Sequence, residues 1–253
     1  MKSRNIIVII GLVLASPVVR AQEYKVAKNT GRLEINIGKV TVEGYAGNEL
    51  VFTSRDHEKK DDERSKGLKE INGLGLDDNT GLGINVEDKG GVVTVRQLKK
   101  TKSPEIRIMV PKGMTVSYEF DSQYGGDVNF KNVESEIEVS AQYNSIELDN
   151  VTGPLTVKTI YGHVEASFDT NVKGPISIVS VYGYADVTLP ASVKANLRMS
   201  TSYGELYVSK DFKIEIEQNN DREDGDRVTG KINGGGMSVD LNCSYGKVYL
   251  RKK

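Results

Sequence analysis

The chain has 253 residues, a formal charge of −1 and one cysteine, Cys243. Charge so close to zero leaves no basic excess to neutralise phosphates, which argues against nucleic acid as a partner, and a single cysteine excludes an internal disulfide framework. Tryptophan is absent and phenylalanine scarce, whereas 12 tyrosines and 26 glycines accompany alternating valine, isoleucine and leucine, a skew that points to strands and tight turns.

The first 21 residues read as a cleaved secretory signal. Lys2 and Arg4 form a positive head, residues 6–14 an apolar run, and Val19-Arg20-Ala21 a small-residue cleavage site. That run is shorter than the roughly 20 residues a spanning helix needs, although an uncleaved anchor is the alternative reading. Removing the segment takes away Lys2, Arg4 and Arg20 and no acid, so −1 becomes −4. The expected location is therefore the periplasm, the outer-membrane surface or the exterior, with no membrane span after cleavage. Residues 22–253 read as a single domain.

Leu33, Ile35 and Ile37, then Val40 and Val42, then Leu50 and Phe52 alternate with polar residues as strands do. Residues 55–69 are a charged insertion, solvated, and carry His57. Strands resume at 82–86, 92–95 and 106–110, and Pro111-Lys112-Gly113 makes a turn.

From residue 118 the chain becomes periodic. Tyr124-Gly125, Tyr143-Asn144, Tyr161-Gly162, Tyr182-Gly183, Tyr203-Gly204 and Tyr245-Gly246 recur at separations of 19, 18, 21, 21 and 42, the last gap being twice 21, as if one tyrosine were missing while the unit continued. Asn144 in place of glycine suggests a turn that needs a positive φ. Each unit holds two short strands of period two: after Tyr143 come Ile146 and Leu148, then Leu155 and Val157; after Tyr161 come Val164, Ala166 and Phe168, then Ile176 and Ile178. Regular repeats span 118–217 and 231–250, separated by a polar loop at 218–226. Arg251, Lys252 and Lys253 would then place charge on a terminal edge strand.

So short a unit cannot bury its own apolar face, but stacked units can, at about 4.8 Å per rung. The repeat predicts an all-β, single-stranded parallel β-solenoid of 18–21 residues per coil, right-handed by the usual chirality of parallel crossovers. An antiparallel β-sandwich is the alternative, since closely spaced turns suit it too.

Residues 108–113, the Tyr-Gly turns and Lys231-Ile232-Asn233-Gly234-Gly235-Gly236 before the last coil resemble the bacterial putative-adhesin β-solenoids, exported domains of unknown function. The likeness covers residues 33–250 and implies the same fold. It brings no catalytic residue set.

No nucleophile elbow, metal-binding histidine pair or phosphate-cradling loop is present, so the chain reads as a non-catalytic protein with no cofactor. Cys243 reads as a small buried strand residue, and His163 as a surface turn residue. Glu147, Glu165 and Asp186 each stand four residues after a repeat tyrosine and would stack as an outward acidic column, a solvated stripe unless it serves a cation or a sugar. The repeat tyrosines Tyr124, Tyr143, Tyr161, Tyr182, Tyr203 and Tyr245 form either a ladder of stacked rings, inward or along a corner, or an outward aromatic strip. Tyr184, Tyr207 and Tyr249 should face outward and, with the acidic column, form the candidate binding surface. The functional expectation is an adhesin-like envelope module contacting glycan or protein. The alternatives are a structural or regulatory envelope component acting through self-association, and a carbohydrate-active enzyme.

Overall fold

The computed structural model describes residues 22–54, 63–68, 71–217 and 226–253. The expected signal segment 1–21, His57 with most of the charged insertion, and the polar loop at 218–225 lie outside the described residues. Of the insertion, Glu63–Ser65 forms one 3-10 turn.

Among the described residues the fold has twenty-one strands. The N-terminal part contains β1 (Glu23–Val26), β2 (Gly31–Asn36), β3 (Val40–Tyr45), β4 (Leu50–Ser54), β5 (Ile84–Lys89), β6 (Val92–Gln97) and β7 (Ile106–Pro111). The regular coils contain β8 (Met114–Phe120), β9 (Val128–Lys131), β10 (Ile137–Ala141), β11 (Ile146–Val151), β12 (Leu155–Thr159), β13 (Val164–Phe168), β14 (Ile176–Ser180), β15 (Ala185–Leu189), β16 (Ala195–Thr201) and β17 (Leu206–Val208). Last come β18 (Ile214–Glu217), β19 (Asp226–Ile232), β20 (Met237–Cys243) and β21 (Val248–Lys252).

Two sheets face each other across one core. The first runs β1-β4-β7-β3-β9-β11-β13-β15-β21-β17, and the second β18-β19-β16-β20-β14-β12-β10-β8-β2-β6-β5. Strands within the coil stack pair in parallel, so the solenoid reading holds rather than the sandwich. Period-two alternation decides which residues enter: Val116, Ile137, Leu155, Ile176, Val239 and Leu197 form one inward column of the second sheet. Val128, Ile146, Val164, Ala185, Val248 and Leu206 form the facing column of the first. All but the terminal Leu206 are at most 3% exposed, and each such large side chain contributes about 1.5–3 kcal/mol by leaving water.

The coils do not stack in chain order. The final coil, β20–β21, lies between β14–β15 and β16–β17. Likewise β2–β3 lies between β6–β7 and β8–β9. Two expectations are corrected here. Among the described residues the double-length gap before Tyr245 does not continue the parallel coil: β18 and β19 form an antiparallel pair beyond β16, and the chain then returns to an interior rung. Arg251 and Lys252 accordingly sit on an interior strand, not a terminal edge.

Candidate functional site

The corner joining the second sheet to the first is built from three columns. Innermost is a buried column of small polar side chains at the strand ends, Thr159, Ser180, Cys243 and Thr201, aligned by parallel pairing. Each hydroxyl bridges two rungs. Thr159 Oγ1 donates to the Asn144 carbonyl at 3.2 Å and accepts from Gly162 N at 3.2 Å. Ser180 Oγ donates to the Gly162 carbonyl at 3.0 Å and accepts from Gly183 N at 3.1 Å. Thr201 Oγ1 donates to the Gly246 carbonyl at 3.2 Å. Cys243 is wholly buried, and desolvation pushes its thiol up to about 11.

The second column is the repeat glycines, and their role differs from expectation. None of Gly125, Asn144, Gly162, Gly183, Gly204 or Gly246 has a positive φ. A Cβ on Gly162 would instead overlap the Asn144 carbonyl, on Gly183 that of Gly162, on Gly246 that of Gly183, and on Gly204 that of Gly246. Glycine is needed because successive backbones approach too closely for a side chain. Asn144 begins this series, and its buried amide donates to the Gly38 and Gly126 carbonyls at 2.8 and 2.7 Å.

Outermost are the tyrosines. Tyr143, Tyr161, Tyr182, Tyr245 and Tyr203 stack in that order, with centroids 5.1, 5.1, 5.0 and 5.0 Å apart and interplanar angles of 15°, 7°, 12° and 9°. The backbone holds them in step: Tyr161 N donates to Gln142 O, Tyr182 N to Ile160 O and Tyr245 N to Val181 O, at 2.7 to 2.9 Å. The rings nevertheless stay open to solvent, from 46% exposure at Tyr143 to 76% at Tyr203. Ladder and outward strip are thus the same object. Tyr124 is also exposed but is not part of the stack.

Two residues further on, a second outward column begins. Ser145 Oγ lies 2.9 Å from His163 Nδ1, and the His163 ring stacks on Tyr184 at 4.6 Å and 8°. Next to it, Glu147, Glu165, Asp186, Tyr249 and Tyr207 occupy matched positions on β11, β13, β15, β21 and β17. Tyr207 and Tyr249 stack at 5.2 Å, and Tyr249 meets Tyr184 edge-on at 6.3 Å. Two of the three acids, Glu165 and Asp186, are occupied. Tyr184 Oη donates to Glu165 Oε1 at 2.5 Å, and this bond, with burial second, pushes the phenol up to about 12. Arg251 grips Asp186 through two bonds of 2.6 and 2.7 Å, which raises the guanidinium further. Glu147, Asp149, Glu165, Asp186 and Arg251 line a shallow open depression. Among the described residues no group of three His, Cys, Asp or Glu side chains is placed to hold a metal ion, and no helix is long and apolar enough to cross a membrane.

The interleaved Tyr245, the His163–Tyr184 stack and the Arg251–Asp186 pair were not anticipated from sequence. Their signals exist only as matched offsets from the repeat tyrosines, and those offsets cannot say which coil neighbours which.

The family model described as Toastrack DUF4097 matches residues 83–251. No curated protein matches. Among solved structures, a putative cell adhesion protein from Clostridium sporogenes is 15% identical with a TM-score of 0.46, over 92% of this chain and 100% of that one. A putative adhesin from Bacteroides fragilis is 12% identical with a TM-score of 0.39, over 94% and 99%. A putative adhesin from Parabacteroides merdae is 12% identical with a TM-score of 0.32, over 92% and 97%. With its model matched over more than half of the chain, the protein belongs to the Toastrack DUF4097 family.

Proposed function

We propose that this Toastrack-family chain is a non-catalytic binding module of the bacterial cell envelope, and that its ligand lies along the tyrosine corner. The carrying observation is the stack of five aligned rings, each about half exposed or more. Stacking turns the ring faces toward one another, so the interior rings offer solvent their edges and hydroxyls, not a flat platform. The surface is a row of phenol groups repeating at 5.0–5.1 Å. It suits a chain-like ligand with polar groups at a comparable repeat, for which an extended glycan is the favoured class. Mixed apolar edge and polar tip is also what makes tyrosine effective at contact surfaces. The head, apolar run and small-residue site at residues 2–21 support export to the envelope.

The test is retention on a panel of immobilised bacterial polysaccharides, comparing wild type with a Tyr161→Phe/Tyr182→Phe variant. Phenylalanine keeps the stack but removes two hydroxyls, so binding should fall while the melting temperature holds. A purely structural ladder would leave retention unchanged or show none in either protein, and would refute the reading.

A further inference from the structure

The two ends of the coil stack are finished differently. At the β5 end, one loop seals the edge of the second sheet. Asn79 Nδ2 donates to Val86 O at 2.8 Å, Val86 N donates to Asn79 Oδ1 at 2.9 Å, and Thr80 Oγ1 donates to Ile84 O at 3.1 Å. Leu82 is buried in the same loop. Side chains there take up the backbone groups that an edge strand would otherwise leave for another chain.

Among the described residues, the opposite end has no such seal, and β17 pairs with β21 alone, while the second sheet continues two strands further, through β19 to β18. The second sheet therefore overhangs the first by two strands. Residues whose equivalents one rung inward are wholly covered stand partly open: Leu206 and Val208 are only partly buried, against 0% and 1% exposure for Val248 and Leu250. On the overhang, Ile214 aligns with the buried Ile232, which sets the inner face. Ile216, two residues on and on that same face, is 64% exposed.

We propose that a second copy of this chain fills the step. Two copies would meet about a twofold axis parallel to the strands, each β18–β19 overhang completing the other's shorter sheet. Such an axis exchanges the two sheets, reverses the stacking direction and preserves strand direction. β18 runs parallel to β16, and β17 runs back across the opposite sheet, so the arriving β18 lies antiparallel to β17. The two-strand overhang equals the two-strand gap, and the same patch serves both copies, as an isologous contact requires.

Charge agrees with this occupant. The overhang carries Glu215 and Glu217 on its outward side, and Glu217 lies 3.9 Å from Lys231. The receiving end carries exposed Lys210, while Lys247 and Arg251 one rung inward are already held by Glu205 and Asp186. The tyrosine corners of both copies would fall on one side of the pair, leaving the ligand strip open.

Light scattering across a concentration series tests the proposal. Wild type should reach twice the mass of one chain. Ile216→Lys should weaken association on the order of tenfold or more, without lowering the melting temperature measured at a concentration where both proteins are single chains. A Glu215→Arg/Glu217→Arg variant, altered only on the outward side, should weaken it as well. Hydrogen exchange should show amides of Leu206–Val208 protected in the wild-type dimer and released in the variants. A single-chain mass at the highest soluble concentration would overturn the proposal, as would a dimer unaffected by both variants with those amides unprotected.

Discussion

Tyr245 stacks on Tyr182 at 5.0 Å and on Tyr203 at 5.0 Å, although it follows both in the chain. An interior ring therefore has two stacked neighbours and Tyr203 has one. With each aromatic contact worth about 0.5–1.5 kcal/mol, Tyr182→Ala should cost about 2 kcal/mol and Tyr203→Ala about half as much. Urea unfolding of the two variants measures the difference, and equal losses would mean that stacking contributes little.

Glycine at the corner is required by proximity, so no side chain should be accepted at Gly183. Gly183→Ala places a Cβ on the Gly162 carbonyl and should destabilise by about 2 kcal/mol or more. Asparagine, which tolerates a left-handed backbone, should do no better at this position. Gly234→Ala is the contrasting case, because φ there is +82° and the surroundings are open, with an expected cost of about 1–2 kcal/mol.

Cys243 occupies a position that serine or threonine fills on neighbouring rungs. Cys243→Ser should therefore be accepted within about 1 kcal/mol, since a hydroxyl can make the same bridge between rungs. In the native protein the thiol should resist alkylation, being buried and held up near 11. Labelling rates in rising denaturant should track global unfolding, and fast labelling without denaturant would contradict the buried placement.

Tyr184 gives the corner an alkaline signature. Its folded value of about 12 lies above the roughly 10 of a free phenol. The bond to Glu165 therefore stabilises fully below pH ~10, and that contribution is lost as pH rises through about 12. Glu165→Gln removes the largest cause, so one phenolate transition should move down toward ~10. The stability gap between wild type and variant should close across that interval. Phenolate absorbance and melting curves report the two effects.

The strands and the outward acidic column were legible because period-two alternation is local and the spacing after each tyrosine is constant. Coil order was not. Ile176 and Leu197 both align with Val239, so the coils share one register and the pattern fits either arrangement. The reason for glycine was hidden for a related cause. Glycine at 162 and 183 satisfies both a left-handed turn and a close backbone approach, asparagine at 144 pointed to the first, and only the neighbouring rung tells the two requirements apart. Ring exposure was likewise undecidable from alternation, because the corner interrupts it.

The coil β20–β21 is synthesised after both of the coils that flank it. Assembly in the order of translation is therefore impossible. While that segment is still missing, β14–β15 and β16–β17 must either remain apart or join each other, and their common register permits the mistaken union. Maturation then requires a late insertion between neighbours already made. A nascent chain halted before Met237 would lack an inner part, not merely an end, and its neighbouring apolar edges would be open to chaperones and proteases. The topology thereby makes completeness of the polypeptide a condition of its stability.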